Sequence, residues 1–446
     1  MKKTLDSIKN TSDADFLAAE KFVCDLRNAG SKFALDRIAK LCEEIGNPQN
    51  NYPIIHIAGT NGKGSVCAML ERILRNAGMK TGMFTSPHLV NLGERIQVNR
   101  KELSRAAITQ RIVKLRSVAD KNFNFSDSAN YPSFFEFMTA IAFDVFSDEN
   151  VDCVILETGL GGRLDSTNIV RPNVSVITSI GLDHTAILGE TIEEIAREKA
   201  GIIKQGVPIV CGFLPKEALS IVKSKAEELS APFYFVGDYF PTKDCLPQTS
   251  LQGLHQRQNA ALALLVIKAL QEHPTNDKTS DKFAAITESD AANALLDVRW
   301  AARWQKISLS NGGELILDSS HNPEGAKTLA DNLDSLGKKK HIIAVGVLGE
   351  ERAKAIFDVI SKRAKKIILL VPNQPRALDY NALKKCIPQC DVEIEERKVS
   401  DIFHPNFECT IVSKGEQIIC TGSIYLAGEV LAALSGNSPD GLSDIF

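Results

Sequence analysis

Short apolar runs alternate with amphipathic segments along most of this chain. Runs with strand-like composition lie at residues 54–58, 81–84, 151–156, 174–180 and 207–210. Apolar positions recur at helical spacing within residues 13–46, 66–77, 133–146 and 191–200, with a break at Gly30. Strands that alternate with helices are typical of parallel-rich sheets, so the pattern predicts an α/β protein.

One of these strands runs directly into a glycine-rich turn. Residues 54–65 read IIHIAGTNGKGS, a strand followed by a turn and the start of a helix. In such a turn, unpaired backbone N–H groups point inward at the positive, N-terminal end of the helix. The N–H groups and the helix dipole together favour phosphate binding. Lys63 can place its cation on the phosphates, and Ser65 can reach a metal ion or a phosphate oxygen. Because Gly64 stands where the Walker A pattern has Ser or Thr, a plain tight turn is the alternative to a nucleotide-binding loop.

Polar side chains also follow three other strands. Ser86 follows the strand at 81–84, Glu157 ends the next strand, and His184 follows the one after that. Open α/β sheets bind ligands at the carboxyl ends of their strands. A buried carboxylate is costly unless it is paired or binds a cation, so Glu157 is a candidate metal ligand, with a salt bridge to Arg163 as the alternative. His184 is a second candidate ligand, although a lone histidine is more often structural.

Two other polar residues have good structural explanations. Glu136 follows Ser133 by three positions at a helix start, which is the spacing of a capping box. Lys199 lies near the end of the helix at 191–200, where a cation suits the dipole. Composition alone favours the dipole explanation for Lys199.

Bulk composition restricts the class of protein. The 446 residues exceed one ordinary core, so two domains are expected. A net charge of −3 gives no support to nucleic-acid binding, and the ten scattered cysteines predict reduced thiols. The N-terminus has no signal-peptide apolar core and no run approaches the ~18 residues of a membrane span, so we expect a cytoplasmic protein without membrane association.

The strand and helix alternation stops and then begins again. Residues 271–290 are polar, residues 297–305 have the character of a connection, and further strands and helices follow from residue 314 onward. We predict a P-loop NTPase-type domain with a parallel-rich sheet at residues 1–298. A smaller Rossmann-like domain is predicted at residues 299–446.

Eight motifs taken together resemble the folylpolyglutamate synthase and dihydrofolate synthase branch of the Mur ligase superfamily. They are HIAGTNGKGS (56–65), TSPHL (85–89), LETGLGGRLDSTN (156–168), TSIGLDHTAILG (178–189), REKAGIIK (197–204), HQRQNA (255–260), DSSHNPEGA (318–326) and TGSIYLAGEV (421–430). The resemblance implies an ATP-dependent amide ligase. A folate carboxylate attacks the γ-phosphate to give an acyl phosphate, and the amino group of L-glutamate then displaces the phosphate.

The resemblance also assigns residues to roles. Nucleotide contacts fall on Gly59, Thr60, Asn61, Gly62, Lys63, Gly64, Ser65, Asn259, Arg303 and Asp318. One Mg²⁺ ion is assigned to Ser86 and Glu157, and a second to His184. The catalytic residues are Lys63, Lys199 and His321. Candidate substrate contacts are Ser133, Arg163, Leu164, Asp165 and Ser166. Lys199 matches a lysine that is carbamylated in the family. A carbamate is an anion that can orient or bind the second Mg²⁺. The resemblance therefore favours a functional role for Lys199 over the dipole explanation.

The chain departs from the family pattern in several places. The Pro-Gly-Arg turn before the second domain is AAR at 301–303, and the Asp-Lys-Asp motif is EER at 350–352. In the N-terminal motif that the family uses for dihydropteroate, Lys32 replaces an acid and Ala34 a glycine. The last departure weakens the expectation of dihydrofolate synthase activity.

The resulting hypothesis is a monomeric ligase that adds L-glutamate to tetrahydrofolate and also to dihydropteroate. Three alternatives stay open: a folylpolyglutamate synthase only, a cell-wall Mur ligase acting on a UDP-linked precursor, and a catalytically silent ATP-binding protein. The extra Gly64 argues against the cell-wall ligases, and the intact Lys63, Glu157 and Lys199 argue against a silent protein.

Overall fold

The computed structural model describes residues 12–26, 34–127, 130–275 and 279–437, so Lys32 lies outside the described part of the chain. The larger of its two main sheets has eight strands in the order β4-β3-β2-β5-β1-β6-β7-β8 within these ranges. These strands are β1 (Ile54–Ala58), β2 (Thr81–Phe84), β3 (Ile96–Val98), β4 (Lys101–Glu102), β5 (Cys153–Glu157), β6 (Val174–Ile177), β7 (Ile209–Cys211) and β8 (Phe233–Phe235). Strands β2, β5, β1, β6, β7 and β8 are mutually parallel, while β3 and β4 pair antiparallel at one edge.

Helices cover both faces of the larger sheet. They are α1 (Asp13–Asp25), α2 (Asp36–Glu44), α3 (Lys63–Asn76), α4 (Arg105–Asn122), α5 (Phe134–Asp148), α6 (Thr185–Leu188), α7 (Ile192–Ala200), α8 (Lys216–Glu228), α9 (Val236–Tyr239), α10 (Leu254–Glu272), α11 (Ser280–Ala284) and α12 (Glu288–Ala294). Apolar side chains of α3 and α10 pack in one core, and those of α4 and α5 in another. Because the central strands are buried on both faces, they read as continuous apolar runs in the sequence.

The second sheet has six strands in the order β13-β12-β11-β16-β10-β9, again within the described ranges. Its strands and the hairpin β14-β15 are β9 (Gln305–Ser308), β10 (Glu314–Leu317), β11 (His341–Val345), β12 (Ala364–Leu369), β13 (Glu393–Glu396), β14 (Phe403–His404), β15 (Glu408–Cys409) and β16 (Gln417–Thr421). Its helices are α13 (Pro323–Ser335), α14 (Glu350–Ile360), α15 (Tyr380–Lys385) and α16 (Ile424–Ser435). All of its neighbouring strands are parallel except β9, so the carboxyl ends of β10, β11 and β16 lie at one edge.

The predicted α/β class with a larger and a smaller parallel-rich sheet is confirmed. The division at residues 298 and 299 stays a prediction, and the segment between α12 and β9 contains it. Several elements were not predicted, among them the helices α4, α8 and α15 and the strands β3, β8 and β13. In α8 the apolar stripe consists of Ala218, Val222 and Ala226, and two of these are alanines that give little periodic signal.

Candidate active site

A cavity of about 510 Å³, here called the cleft, lies between the carboxyl ends of the two sheets. All of the predicted nucleotide, metal and catalytic residues line it. They are Gly59, Thr60, Asn61, Gly62, Lys63, Gly64, Ser65, Ser86, Glu157, His184, Lys199, Asn259, Arg303, Asp318 and His321. The strand ends predicted to share one edge therefore do so.

The turn at residues 59–65, here called the phosphate loop, is fixed by the end of β6. The backbone N–H of Asn61 donates to Ser179 Oγ at 2.9 Å, and Thr178 Oγ1 donates to the Asn61 carbonyl at 2.6 Å. A Cβ atom on Gly59 would lie 1.9 Å from Thr178 Oγ1, so this close approach requires glycine. On the other side, a Cβ on Gly64 would lie 2.9 Å from the indole nitrogen of Trp300, which covers the loop.

Glu157 is the last residue of β5 and is 3% exposed. Its nearest cation is Lys63, whose Nζ lies 4.0 Å from Oε1, and the backbone N–H of Ser86 lies 3.4 Å from Oε2. Burial raises the pKa of Glu157 to about 7, against the opposing charge of Lys63. The alternative of a salt bridge to Arg163 is wrong, because Arg163 pairs with Glu198 at 2.9 Å.

Lys199 is also 3% exposed, and its Nζ donates to the carbonyl of Gly59 at 3.0 Å. The explanation by dipole pairing at the end of its own helix is therefore wrong, because the amine reaches the phosphate loop instead. Burial, followed by repulsion from Lys63, lowers the pKa of Lys199 to about 7. A substantial neutral fraction of this amine therefore exists at neutral pH.

His184 and Asp183 follow β6 and reach the cleft from the larger sheet. Burial lowers the pKa of His184 to about 4, so its ring is neutral at pH 7 and can act as a metal ligand. For Asp183, burial acts to raise the pKa, but hydrogen bonding and charge from His321, then His184 and Arg352, hold the pKa well below its ordinary value. Asp183 is therefore an anion with several partners.

The second sheet supplies the opposite wall. Both oxygens of Asp318 accept backbone N–H groups, from Trp304 at 3.2 Å and from Ser320 at 2.9 Å. His321 Nδ1 lies 2.8 Å from the Ser319 carbonyl, which can only accept, so we assign the proton to Nδ1. The other ring nitrogen, Nε2, then faces the Asp183 carboxylate at 3.7 Å.

The predicted substrate contacts do not line the cleft. Ser133 and Glu136 form the capping box of α5, with the Ser133 N–H donating to Glu136 at 2.7 Å. Asp165 is buried and accepts from the backbone of Leu160 at 2.8 Å and Thr167 at 3.0 Å, which holds the loop after β5. The remaining predicted contacts, Arg163, Leu164 and Ser166, lie on the same loop, whose residues Gly159, Leu160 and Gly161 do reach the cleft. Their role as substrate contacts stays a prediction.

Several cleft residues were not predicted as site residues. Among them are Asp183, Gln256, Arg352, Arg376, Ser423 and Tyr425. Gln256 could have been found, because it shares a motif with Asn259, and its amide donates to Ser65 Oγ at 3.2 Å. Arg352 lies in the EER segment, which departs from the family pattern, so the resemblance assigned it no role.

The remaining sequence predictions concern metals, membranes and thiols. Within the described ranges, no cluster of three or more His, Cys, Asp or Glu side chains is arranged to hold a metal ion. No helix in the described part of the chain combines the length and the apolar character needed to cross a bilayer. All ten cysteines are unbridged, as predicted.

Comparison with known proteins decides the family. The Mur ligase middle domain matches residues 57–239, and the Mur ligase glutamate ligase domain matches residues 302–424. The chain is 39% identical to the dihydrofolate synthase/folylpolyglutamate synthase of Bacillus subtilis over 68% of this chain and 73% of that protein. The chain belongs to the folylpolyglutamate synthase and dihydrofolate synthase family. It is therefore a ligase of the folate branch, which removes the cell-wall alternative.

Three further proteins extend the match along most of the chain. The folylpolyglutamate synthase of Lacticaseibacillus casei is 30% identical over 90% of this chain and 94% of that protein. The Mycobacterium tuberculosis folylpolyglutamate synthase, solved with ADP and AMPPCP, is 26% identical with a TM-score of 0.79, covering 96% of this chain and 99% of that one. An Escherichia coli structure, FolC with DHPP and ADP, is 26% identical with a TM-score of 0.75, covering 93% and 96%. The family assignment therefore rests on sequence and on fold together.

Proposed function

We propose that this ligase uses ATP to join L-glutamate to reduced folates such as tetrahydrofolate, and to dihydropteroate as a second substrate. The observation that carries the proposal is the single cleft lined by every residue matched to a nucleotide, metal or catalytic role. The Bacillus subtilis relative, named for both activities, supports the pair of substrates. The neighbour solved with ADP and AMPPCP supports ATP as the nucleotide.

The phosphate loop and Lys63 would bind the ATP phosphates. In the ligand-free protein, Lys63 Nζ donates to the Gly59 carbonyl at 3.0 Å, so the amine is held by its own loop. Phosphate oxygens are stronger partners for an ammonium group than a neutral carbonyl, so the lysine would exchange partners on binding. Asn259, whose amide packs against Gly62, would face the nucleotide from α10.

The residues around Glu157 fit a magnesium ion. A buried carboxylate whose pKa is raised, and whose nearest cation lies 4.0 Å away, is stabilised when a divalent cation arrives. Glu157 and the Ser86 hydroxyl would hold one Mg²⁺, and neutral His184 a second. When bound, these ions neutralise phosphate charge as it develops. The protein contributes oxygen and imidazole ligands at fixed strand ends.

Lys199 fits carbamylation, because only a neutral amine reacts with CO₂ and the pKa of about 7 provides one. A carbamate there would give the cleft a second anion beside the phosphate loop. Replacing Lys199 with Ala should abolish turnover, and acetate should restore part of it by occupying the vacated space. Turnover close to that of the unmodified protein would remove the carbamate.

His321 and the cleft wall that the second sheet supplies would bind the glutamate. Nδ1 of His321 is held by Ser319 and Nε2 faces Asp183, and in its unprotonated form Nε2 would accept the proton that the glutamate amino group loses on attack. Arg303 and Asp318 would contact the nucleotide, and Arg376 and Ser423 lie where a dianionic amino acid needs positive charge and N–H or O–H donors. The loop of Arg163 to Ser166 would hold the pterin end of the folate, outside the cleft proper.

We also propose that the protein is a cytoplasmic monomer that binds no nucleic acid. Support comes from the net charge of −3 and from a sequence without an evident oligomer interface. Light scattering of the purified protein would test the monomer directly.

The deciding experiment is phosphate release by the purified protein with ATP, Mg²⁺ and L-glutamate. Dihydropteroate and tetrahydrofolate are supplied in separate reactions, with glutamate omitted as the control. Turnover with both substrates supports the bifunctional enzyme. Turnover with tetrahydrofolate alone supports the folylpolyglutamate synthase alternative, and Lys32 and Ala34 become the first positions to revert. Turnover with neither contradicts the proposal and favours a silent protein.

A further inference from the structure

Asp183 is the residue where the two domains contact each other most closely through charge. It belongs to the loop after β6 of the larger sheet, and its side chain is 8% exposed. Its partners across the cleft all belong to the second sheet's side. Arg352 pairs with Oδ1, the Asn322 amide donates to Oδ2 at 3.0 Å, and His321 Nε2 lies 3.7 Å from Oδ2.

The same contacts continue to the phosphate loop. The amide of Asn322 also donates to Asn61 Oδ1 at 3.0 Å, and the Asn61 amide donates to Glu324 Oε2 at 3.1 Å. Asn322 caps α13, with its Oδ1 accepting from the Gly325 N–H at 2.8 Å, so its orientation is tied to that helix. Displacement of Asp183 from its partners would therefore alter both His321 and the tip of the phosphate loop.

Arg352 is the cation that holds this arrangement. It lies in the first turn of α14, and its side chain is 22% exposed. The other ion-pair partners of Asp183 in the described residues are His184 and His321, whose rings are charged only when protonated, whereas the guanidinium is always charged. A largely buried carboxylate that loses its permanent cation is strongly destabilised, so removing the guanidinium weakens the closed arrangement of the domains.

We infer that Arg352 is a positioning residue that acts through Asp183 to hold His321, Asn322 and Asn61 in their reacting arrangement. This inference rests on the proposed function, because His321 and the phosphate loop are the groups that Arg352 positions. Arg352 is the third residue of the EER segment at 350–352. In this chain, the arginine at that position makes the contact between the domains. Arg352 touches no substrate in this role.

The test replaces Arg352 with Gln and with Lys, and uses Arg363→Gln as the matched control. Arg363 follows the same helix and pairs with Asp334 at 2.7 Å, but both partners lie in the second domain. Amide hydrogen exchange of the ligand-free protein is measured at residues 178–184 and 319–326, together with kcat and the KM values for ATP and glutamate. Thermal unfolding reports whether each variant is folded.

We expect Arg352→Gln to speed exchange in both segments and to lower kcat on the order of tenfold, with KM for glutamate little changed. Arg352→Lys should recover part of both effects, and Arg363→Gln should change neither. In an Asp183→Asn background, Arg352→Gln should cause no further loss, since the pair acts as one unit.

Two results would overturn the inference. Unchanged exchange in both segments would show that the pair does not hold the domains, whatever the activity. A rise confined to KM for glutamate would make Arg352 a direct substrate contact instead. Because exchange is read without turnover, an inactive enzyme would contradict the proposed function and leave this test intact.

Discussion

The cleft contains two groups of charged residues that differ in how many partners the fold gives them. In the first group, Glu157 and Lys199 are buried with few partners, and burial moves the pKa of each to about 7. In the second, Asp183 is surrounded by Arg352 and His321, which hold its pKa well below the ordinary value. A buried charge with few partners indicates a missing ligand, whereas a charge with several partners in place indicates a fixed arrangement of the domains.

The largest expected effect comes from Lys199→Met, which removes a buried cation and keeps a side chain of similar length. Turnover should fall on the order of 10³-fold or more. The ligand-free protein should nevertheless become more stable, on the order of 3 kcal/mol at pH 7, because folding no longer brings a protonated lysine into the interior.

The sign of the pH dependence follows from the pKa of Lys199, which falls from 10.5 to about 7 on folding. The gain should be complete below pH 7 and should shrink as the pH rises toward 10.5. Urea unfolding at pH 7 and pH 9 measures it. A gain that does not change between these two pH values would contradict the lowered pKa.

Glu157→Gln should show the opposite pH dependence. Activity should fall about 10²-fold or more through loss of a metal ligand. Because folding raises the pKa of Glu157 from 4.5 to about 7, its ionised form destabilises the ligand-free protein. The stability gain of the variant, on the order of 2 kcal/mol, should be present above pH 7 and disappear as the pH falls toward 4.5. Equal stability of both proteins at pH 8 would argue against a carboxylate that burial destabilises.

Ala302→Gly tests the segment that connects the two domains. Ala302 has a φ of +55°, a conformation that glycine adopts freely, and it occupies the position of the family's turn glycine. The substitution should stabilise the protein by about 0.5–1 kcal/mol, as measured by urea unfolding. Ala301, which does not share this backbone conformation, gives the control: Ala301→Gly should be neutral or destabilising.

The smallest effect is expected from Arg163→Gln, outside both groups. The side chain is 56% exposed and pairs with Glu198, so stability should change by no more than about 0.5 kcal/mol. If this loop holds the pterin end of the folate, KM for the folate should rise about threefold with KM for ATP unchanged. A large loss of kcat would instead move Arg163 into the reacting site.

The sequence predicted the positions of Glu157 and His184 better than the contact between Asp183 and Arg352. Glu157 and His184 follow apolar strands, and parallel strands bring their carboxyl ends to one edge, so local pattern was sufficient to bring them together. Arg352 meets Asp183 only through the relative position of two domains, which no local pattern contains. The motif resemblance named Lys199 where composition favoured a helix-dipole role, since burial cannot be read from a cation near a helix end.

The contact of Trp300 with Gly64 has an optical consequence. Trp300 and Trp304 are the two tryptophans of the chain, and both lie in the segment between α12 and β9. Trp300 covers the phosphate loop and stacks with the Arg100 guanidinium, 5.1 Å from the ring centroid, while Trp304 donates its backbone N–H to Asp318. All indole emission of the unmodified protein therefore originates beside the cleft. Intrinsic fluorescence becomes a label-free signal for nucleotide titration and for stopped-flow measurement of nucleotide binding.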